Sequence, residues 1–282
     1  MLDQAVQQTT DFAASQNLIT DTQAGSIKKT SAAAAKTAED ITPSQEYYIG
    51  RSVAATILSQ YRAMNNDTLN DYLNTMGQTL ALASEKPETF RGYRFMALDS
   101  DEINAFAAPG GFILVTRGLI RCCPNEDALA AVLAHEIAHV QYGHGKRAIQ
   151  NGRLTNLFGV AATEAAKNLE DQQLAQLTQD FSGAVNDVVT QLVRNGYSQS
   201  CEFQADRGAV AILKKIGYDP EALRVMLQSM DKRLTPGDAG FAKTHPSPQD
   251  RIANIQPLLG TSHTLTSLPG RDKRFRSGTT GV

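Results

Sequence analysis

The sequence predicts an α+β fold, mostly α, with one small and largely antiparallel sheet packed on helices. Three observations point to it. Strand-like patterning is confined to three short runs between Tyr93 and Thr116, and apolar residues recur at helical spacing on both sides of that window. A hydrophobic content of 41% over 282 residues is enough to bury a sizeable core.

The elements follow in order. The first forty residues, rich in Ala, Thr, Gln and Lys, carry weak helical periodicity and few large apolar groups, so 1–41 is expected to form peripheral helices. Thr42-Pro43-Ser44-Gln45 places a threonine cap, a proline at the first helical position and a glutamine three residues after the cap, which marks the start of the main domain, 42–259. A second helix is expected from about Asp67 to Ser84, with Leu69, Tyr72, Leu73, Met76 and Leu80 on one face. The β-prone runs are Tyr93 to Leu98, Ile103 to Ala107 and Phe112 to Thr116, separated by Asp-Ser-Asp-Glu and by Pro109-Gly110-Gly111. From Pro124-Asn125-Glu126-Asp127 onward the chain reads helical to about Gln256, with surface helices between Lys146 and Arg194. Residues 260–282, rich in Thr, Ser, Gly and Arg, read as a loose tail.

Composition excludes several functions. Lys and Arg number 27 against 29 Asp and Glu, a formal net charge of −2, so no basic field draws in phosphate backbones and no nucleic-acid partner is expected. No apolar run reaches the ~18–20 residues that cross a bilayer, so no transmembrane segment is expected, and peripheral membrane association stays open. Met-Leu-Asp-Gln-Ala-Val-Gln-Gln has neither a cationic start nor an apolar core and reads as no signal peptide. Cys122, Cys123 and Cys201 form neither a disulfide framework nor a Cys-x-x-Cys pair.

The chemistry is concentrated in Ala131-Val-Leu-Ala-His135-Glu136-Ile-Ala-His139-Val140, an apolar helix interrupted by three titratable groups. Residues four apart share a helix face, so both imidazoles can reach one ion. Glu136 lies about 100° around the helix, beside that ion without being a third ligand. The pattern suits Zn²⁺, one per chain, with Glu136 as general base. A catalytic site needs a third protein ligand, and Glu202 supplies it from Ser198-Gln-Ser-Cys-Glu202-Phe-Gln-Ala-Asp206-Arg207. Asp206, one turn on, would accept the free N–H of a liganding histidine and fix its tautomer. The alternative is an ordinary acidic helix start capped by Ser198 or Ser200. His144, just beyond Gly143, reads as a capping cation, and His263 as a solvent-exposed residue.

These segments resemble the zinc metallopeptidases of the CAAX prenyl protease type 1 and HtpX kind, a gluzincin family. The likeness includes Asn104-Ala-Phe-Ala-Ala-Pro-Gly-Gly-Phe-Ile-Leu-Val-Thr-Arg-Gly-Leu119 and His245-Pro-Ser-Pro-Gln-Asp-Arg251-Ile, and runs from about Ser44 to Leu258. Within the family the chain is most similar to the soluble periplasmic, BepA-like branch. The resemblance implies a gluzincin-like core whose sheet packs on the zinc-site helices, and an edge strand, Asn104, Ala105, Phe106 and Ala107, to which a substrate peptide adds. It implies a periplasmic endopeptidase acting on extended or unfolded polypeptides, such as misassembled envelope proteins, in quality control. His245 would be either a fourth ligand that closes the site or a donor to the transition state, a role Tyr197 could share. Arg207 and Arg251 would supply charge near the cleft or pair with neighbouring acids. The rival reading is a non-catalytic or latent chaperone-like protein that binds unfolded envelope proteins; a buried base beside the metal argues against it.

Overall fold

The computed structural model describes residues 41–150, 183, 185–186, 188–233, 245–260 and 268–282. Apart from Ile41 and Thr42, these belong to one compact unit formed by Pro43–Gly152 and Gly183–Val282. The helices expected over the first forty residues, most of the helical stretch expected between Lys146 and Arg194, and His263 lie outside the described residues.

Helix α1 (Pro43–Gln60) begins at its proline and buries Ile49, Val53 and Ile57. Helix α2 (Asp67–Ala83) is started by Asn66, whose side chain accepts from the Leu69 N–H, and it buries Leu69, Leu73, Met76 and Leu80 at the expected spacing. Strands β1 (Arg94–Leu98), β2 (Ala105–Ala108) and β3 (Phe112–Thr116) form one sheet in the order β1-β3-β2.

The sheet is mixed, which corrects the largely antiparallel expectation. β2 pairs antiparallel with β3 across the tight Pro109–Gly111 connection, whereas β1 pairs with β3 in parallel. Short connections make the three strands alternate in direction along the chain, but β3 inserts between the first two. Sequence patterning sets the alternation; spatial order is set by what each strand packs against.

The two edges of this sheet are treated differently. Asn74 donates to Phe95 O at 2.7 Å and accepts from its N–H at 3.1 Å; Asn70 accepts from Ala97 N–H at 2.9 Å, and the segment Arg62–Met64 adds main-chain bonds. The outer edge of β1 is thus closed by side chains of α2 and a flanking segment. β2 remains the other edge.

Helix α3 (Arg117–Cys122) starts at the Thr116 cap, and α4 (Glu126–Gln141) at Asn125, whose side chain accepts from Ala128 N–H. Every residue of α4 from Glu126 to Val140 is buried. Its many alanines let α2, the sheet, α6 (Gln199–Lys215) and α7 (Glu221–Asp231) all pack against it. A turn leads from α4 to α5 (His144–Gln150), and α8 (Pro248–Leu259) lies across α6 and α7.

The tail expectation also needs correction. Pro269–Gly278 forms helix α9, packed on α2 and α4. It was illegible because it carries no apolar stripe: Phe275 packs on the core and Gly278 lies against the Tyr72 ring, and its arginines add ion pairs. Arg274 pairs with Glu126 at 2.5 Å and Arg271 with Asp127 at 2.7 Å, and both acids are 1% exposed in the first turn of α4. Among the described residues no helix is long and apolar enough to cross a membrane.

Candidate metal centre and active site

The middle of α4 presents His135 and His139 on one face, both buried, with their Nε2 atoms 3.0 Å apart. Helix α6 comes close because residue 208 is glycine: a Cβ there would stand 2.8 Å from both Ala138 Cβ and Tyr142 Cε2. That approach brings Glu202, fully buried, to the pair. Its Oε2 lies 3.4 Å from His135 Nε2 and its Oε1 3.4 Å from His139 Nε2. Ligands around a tetrahedral ion with ~2.0–2.1 Å bonds stand about 3.3 Å apart, so each imidazole nitrogen already stands at metal-site spacing from one oxygen of the Glu202 carboxylate and close to it from the other imidazole. Among the described residues, Glu202 Oε1 is buried without a hydrogen-bond partner, an oxygen that an ion between the imidazoles would satisfy. The donor set and spacing fit a metal.

Behind the histidines the site is braced. Asp206 Oδ1 lies 2.9 Å from His135 Nδ1, and Arg251 of α8, 1% exposed, grips Asp206 through Nε at 2.9 Å and Nη2 at 2.6 Å. The sequence reading gave Arg251 either a cleft charge or an acid partner; it is buried on Asp206, behind His135. Arg207 is exposed and bonds Asn254 at 2.9 Å, joining α6 to α8. It does not line the cleft.

His245 closes the front, its Nδ1 2.5 Å from Glu202 Oε2. His135, Glu202 and His245 also offer ligand atoms within 4.8 Å of one another, so both histidine sets share Glu202. Glu136 lines a small cavity with Ala105, Ala107, His139, Tyr197 and His245. Burial pushes its carboxyl up to about 7. Burial and Arg251 pull His135 down, but the carboxylates of Asp206 and Glu202 outweigh them and hold it at about 9. Burial opposes the charge on Glu202, yet the surrounding imidazoles keep it well below the usual carboxylate range. Burial drops His139 well below an ordinary histidine.

β2 runs along the same cavity. Thr116 N–H donates to Asn104 O at 3.1 Å, and the register pairs Ala105 with Val115, Phe106 with Leu114 and Ala107 with Ile113. The antiparallel alternation therefore turns the main-chain groups of Ala105 and Ala107 away from β3. Asn104 Oδ1 accepts from Ala105 N–H at 2.9 Å, and the Tyr197 hydroxyl donates to Ala107 O at 3.1 Å. Between these two caps lie Ala105 C=O and Ala107 N–H. The Tyr197 ring stacks on His139, centroids 4.5 Å apart, so the residue bridges the edge strand and the histidine pair. The cavity measures about 10 Å³, the room of one water, so a peptide strand enters only if these groups move.

One residue of the site was misread. His144, expected as a capping cation, is 2% exposed, and burial pulls its pKa below the usual histidine value. Its Nδ1 lies 2.8 Å from His139 Nδ1 and its Nε2 3.1 Å from Gln204 Oε1. Helical counting turned it away from the site. The turn after Gln141, with Gly143 at φ +63°, brings it back.

Comparison with known proteins agrees with this geometry. The pattern of peptidase family M48 matches residues 67–258. The chain is 28% identical over 218 residues to the beta-barrel assembly-enhancing protease of Escherichia coli (strain K12), covering 75% of this chain and 43% of that one. It is 28% identical over 194 residues to the metalloprotease LoiP of the same strain, covering 68% and 69%. To the mitochondrial metalloendopeptidase OMA1 of Schizosaccharomyces pombe it is 32% identical over 161 residues, covering 55% and 43%. The chain spans less than half the length of the beta-barrel assembly-enhancing protease it matches.

Proposed function

The chain belongs to peptidase family M48, and from that premise we propose that it is a zinc-dependent endopeptidase that cuts extended or unfolded polypeptides. The observation that carries the reading is the meeting of His135, His139 and Glu202 at metal-site spacing, with buried Glu136 between that point and the β2 edge. His135, His139 and Glu202 would hold the ion, and zinc bound there supplies Lewis acidity toward the scissile carbonyl and the attacking water.

The chain's own groups do the rest. Ala105 C=O and Ala107 N–H pair with the main chain of an incoming strand and align it along β2. Because that pairing reads backbone, the enzyme accepts many sequences and refuses tightly folded ones. Glu136, held near neutrality by burial, takes a proton from the attacking water and delivers it to the departing amine. A relative named for enhancing beta-barrel assembly supports the further proposal that the enzyme works in the periplasm on envelope proteins, in quality control. A chaperone-like binder would use the same edge but has no need of a buried base beside the ligands.

A second reading rests on the 2.5 Å contact between His245 and Glu202. If His245 takes the open ligand position, the resting enzyme is latent and His245→Ala cuts faster; if it serves the transition state, the variant cuts more slowly. The reading as a whole is tested by chelation. Cleavage of an unfolded polypeptide should stop when zinc is stripped and return when about one equivalent is restored; cleavage that survives stripping ends it.

A further inference from the structure

We propose that His144, backed by Gln204, is the residue that orients His139 for metal binding. The inference rests on the peptidase reading only through the assignment of His139 as a ligand.

The argument is one of proton order. His139 Nε2 faces His135 Nε2 at 3.0 Å and Glu202 Oε1 at 3.4 Å, so Nε2 is the ligating nitrogen and carries no proton. The neutral ring then bears its proton on Nδ1, which stands 2.8 Å from His144 Nδ1. His144 Nδ1 must accept, its own proton sits on Nε2, and that N–H donates to Gln204 Oε1 at 3.1 Å. All three side chains are satisfied in a single arrangement. A change of tautomer in either ring, or a flip of the Gln204 amide, would set two donors or two acceptors face to face.

The backbone is built for this contact. Were α4 to continue, residue 144 would lie about 140° around the helix from His139. The chain instead leaves the helix at Gln141, turns through Gly143 and restarts as α5 at His144. Gln204 lies between Glu202 and Asp206 on α6, so one helix supplies a ligand, the support for His135 and the support for His139.

The two histidines are therefore supported differently. His135 has the carboxylate of Asp206 behind it, itself neutralised by Arg251; His139 has a neutral imidazole and a neutral amide. Orientation, rather than added negative charge, is what His144 contributes. Supports of this kind are worth 10–100-fold in metal affinity.

The test is zinc affinity by competition with a chromophoric chelator, on wild type, His144→Gln and His144→Leu, with unfolding of the metal-free proteins as a control. Both substitutions fill the space, but only glutamine keeps an acceptor for the His139 N–H. His144→Leu should bind 10–100-fold more weakly and shift the visible bands of the cobalt form, while His144→Gln stays near wild type. Equal affinity of a folded His144→Leu and wild type overturns the proposal, as does a His144→Gln as weak as the leucine variant. Should His144→Leu not fold, Gln204→Leu on the half-buried face of α6 decides it, with a weaker metal site expected and an unchanged one overturning the relay. Zinc binding without cleavage of polypeptides by either wild type or His245→Ala refutes the peptidase reading alone; a wild type that binds no zinc refutes both.

Discussion

Asp206 serves two partners at once, the His135 ring and the Arg251 guanidinium, all three buried. Removing it leaves a buried cation without its counter-charge, which costs about 3–5 kcal/mol. Asp206→Ala should therefore lower the unfolding free energy of the metal-free protein by about that amount, read by denaturant titration; a loss within 1 kcal/mol contradicts the placement. The same electrostatics has a consequence for metal uptake. With His135 held at about 9, its ring is protonated at pH 7, and a ligating ring must be neutral. Loading zinc at pH 7 should release about one proton per ion, falling toward none above pH 9, as calorimetry in buffers of different ionisation enthalpy would register. At this scale the sequence was most legible where spacing alone dictates geometry: helical counting puts His135 beside His139 and Glu202 beside Asp206, whereas the meeting of the two pairs follows from tertiary packing that spacing does not set. It was least legible at His144, where one left-handed glycine breaks the count, and at Arg251, where burial decides between two roles that residue type leaves open.

At the scale of elements, the sheet assigns tasks to its edges. Asparagines from α2 close β1, whereas β2 is buried beside the small cavity and capped at its ends by Asn104 and Tyr197. The β2 groups that face away from β3 belong to Ala105 and Ala107, so Ala107→Pro removes an outward N–H without removing a bond of the β2–β3 ladder. The variant should keep its zinc and its fold and lose most cleavage of unfolded chains through a raised KM. Undiminished kcat/KM would show that substrates do not add to this edge. The three strands were visible in the sequence to within two residues, since β-branched and aromatic runs between turn signals define them. Their order was not, because insertion of β3 between β1 and β2 is settled by packing against α2 and α4.

For the whole molecule, α4 is the axis around which the remainder is arranged, and α9 pins its first turn. Glu126 and Asp127 sit at the positive end of the helix dipole yet are buried, and each is answered by an arginine of α9. Arg271→Ala strips Asp127 of its partner and removes a guanidinium stacked 4.0 Å above the Tyr218 ring. It should destabilise the fold by about 1.5–3 kcal/mol, measured by denaturant unfolding, with cleavage by the folded fraction unchanged. No effect on stability would mean that α9 docks by other means. The helix went unread because its sequence has almost no apolar residues to pattern. Its partners, two acids in the first turn of an apolar helix, were the available clue.

The central claim is that Glu136 works as a base beside a metal held by His135, His139 and Glu202. Its most direct test is cleavage of an unfolded polypeptide by wild type and Glu136→Gln side by side, with zinc content determined on both. The expected result is about one zinc per chain in each and cleavage by the wild type only. Equal cleavage by the two proteins would contradict the account.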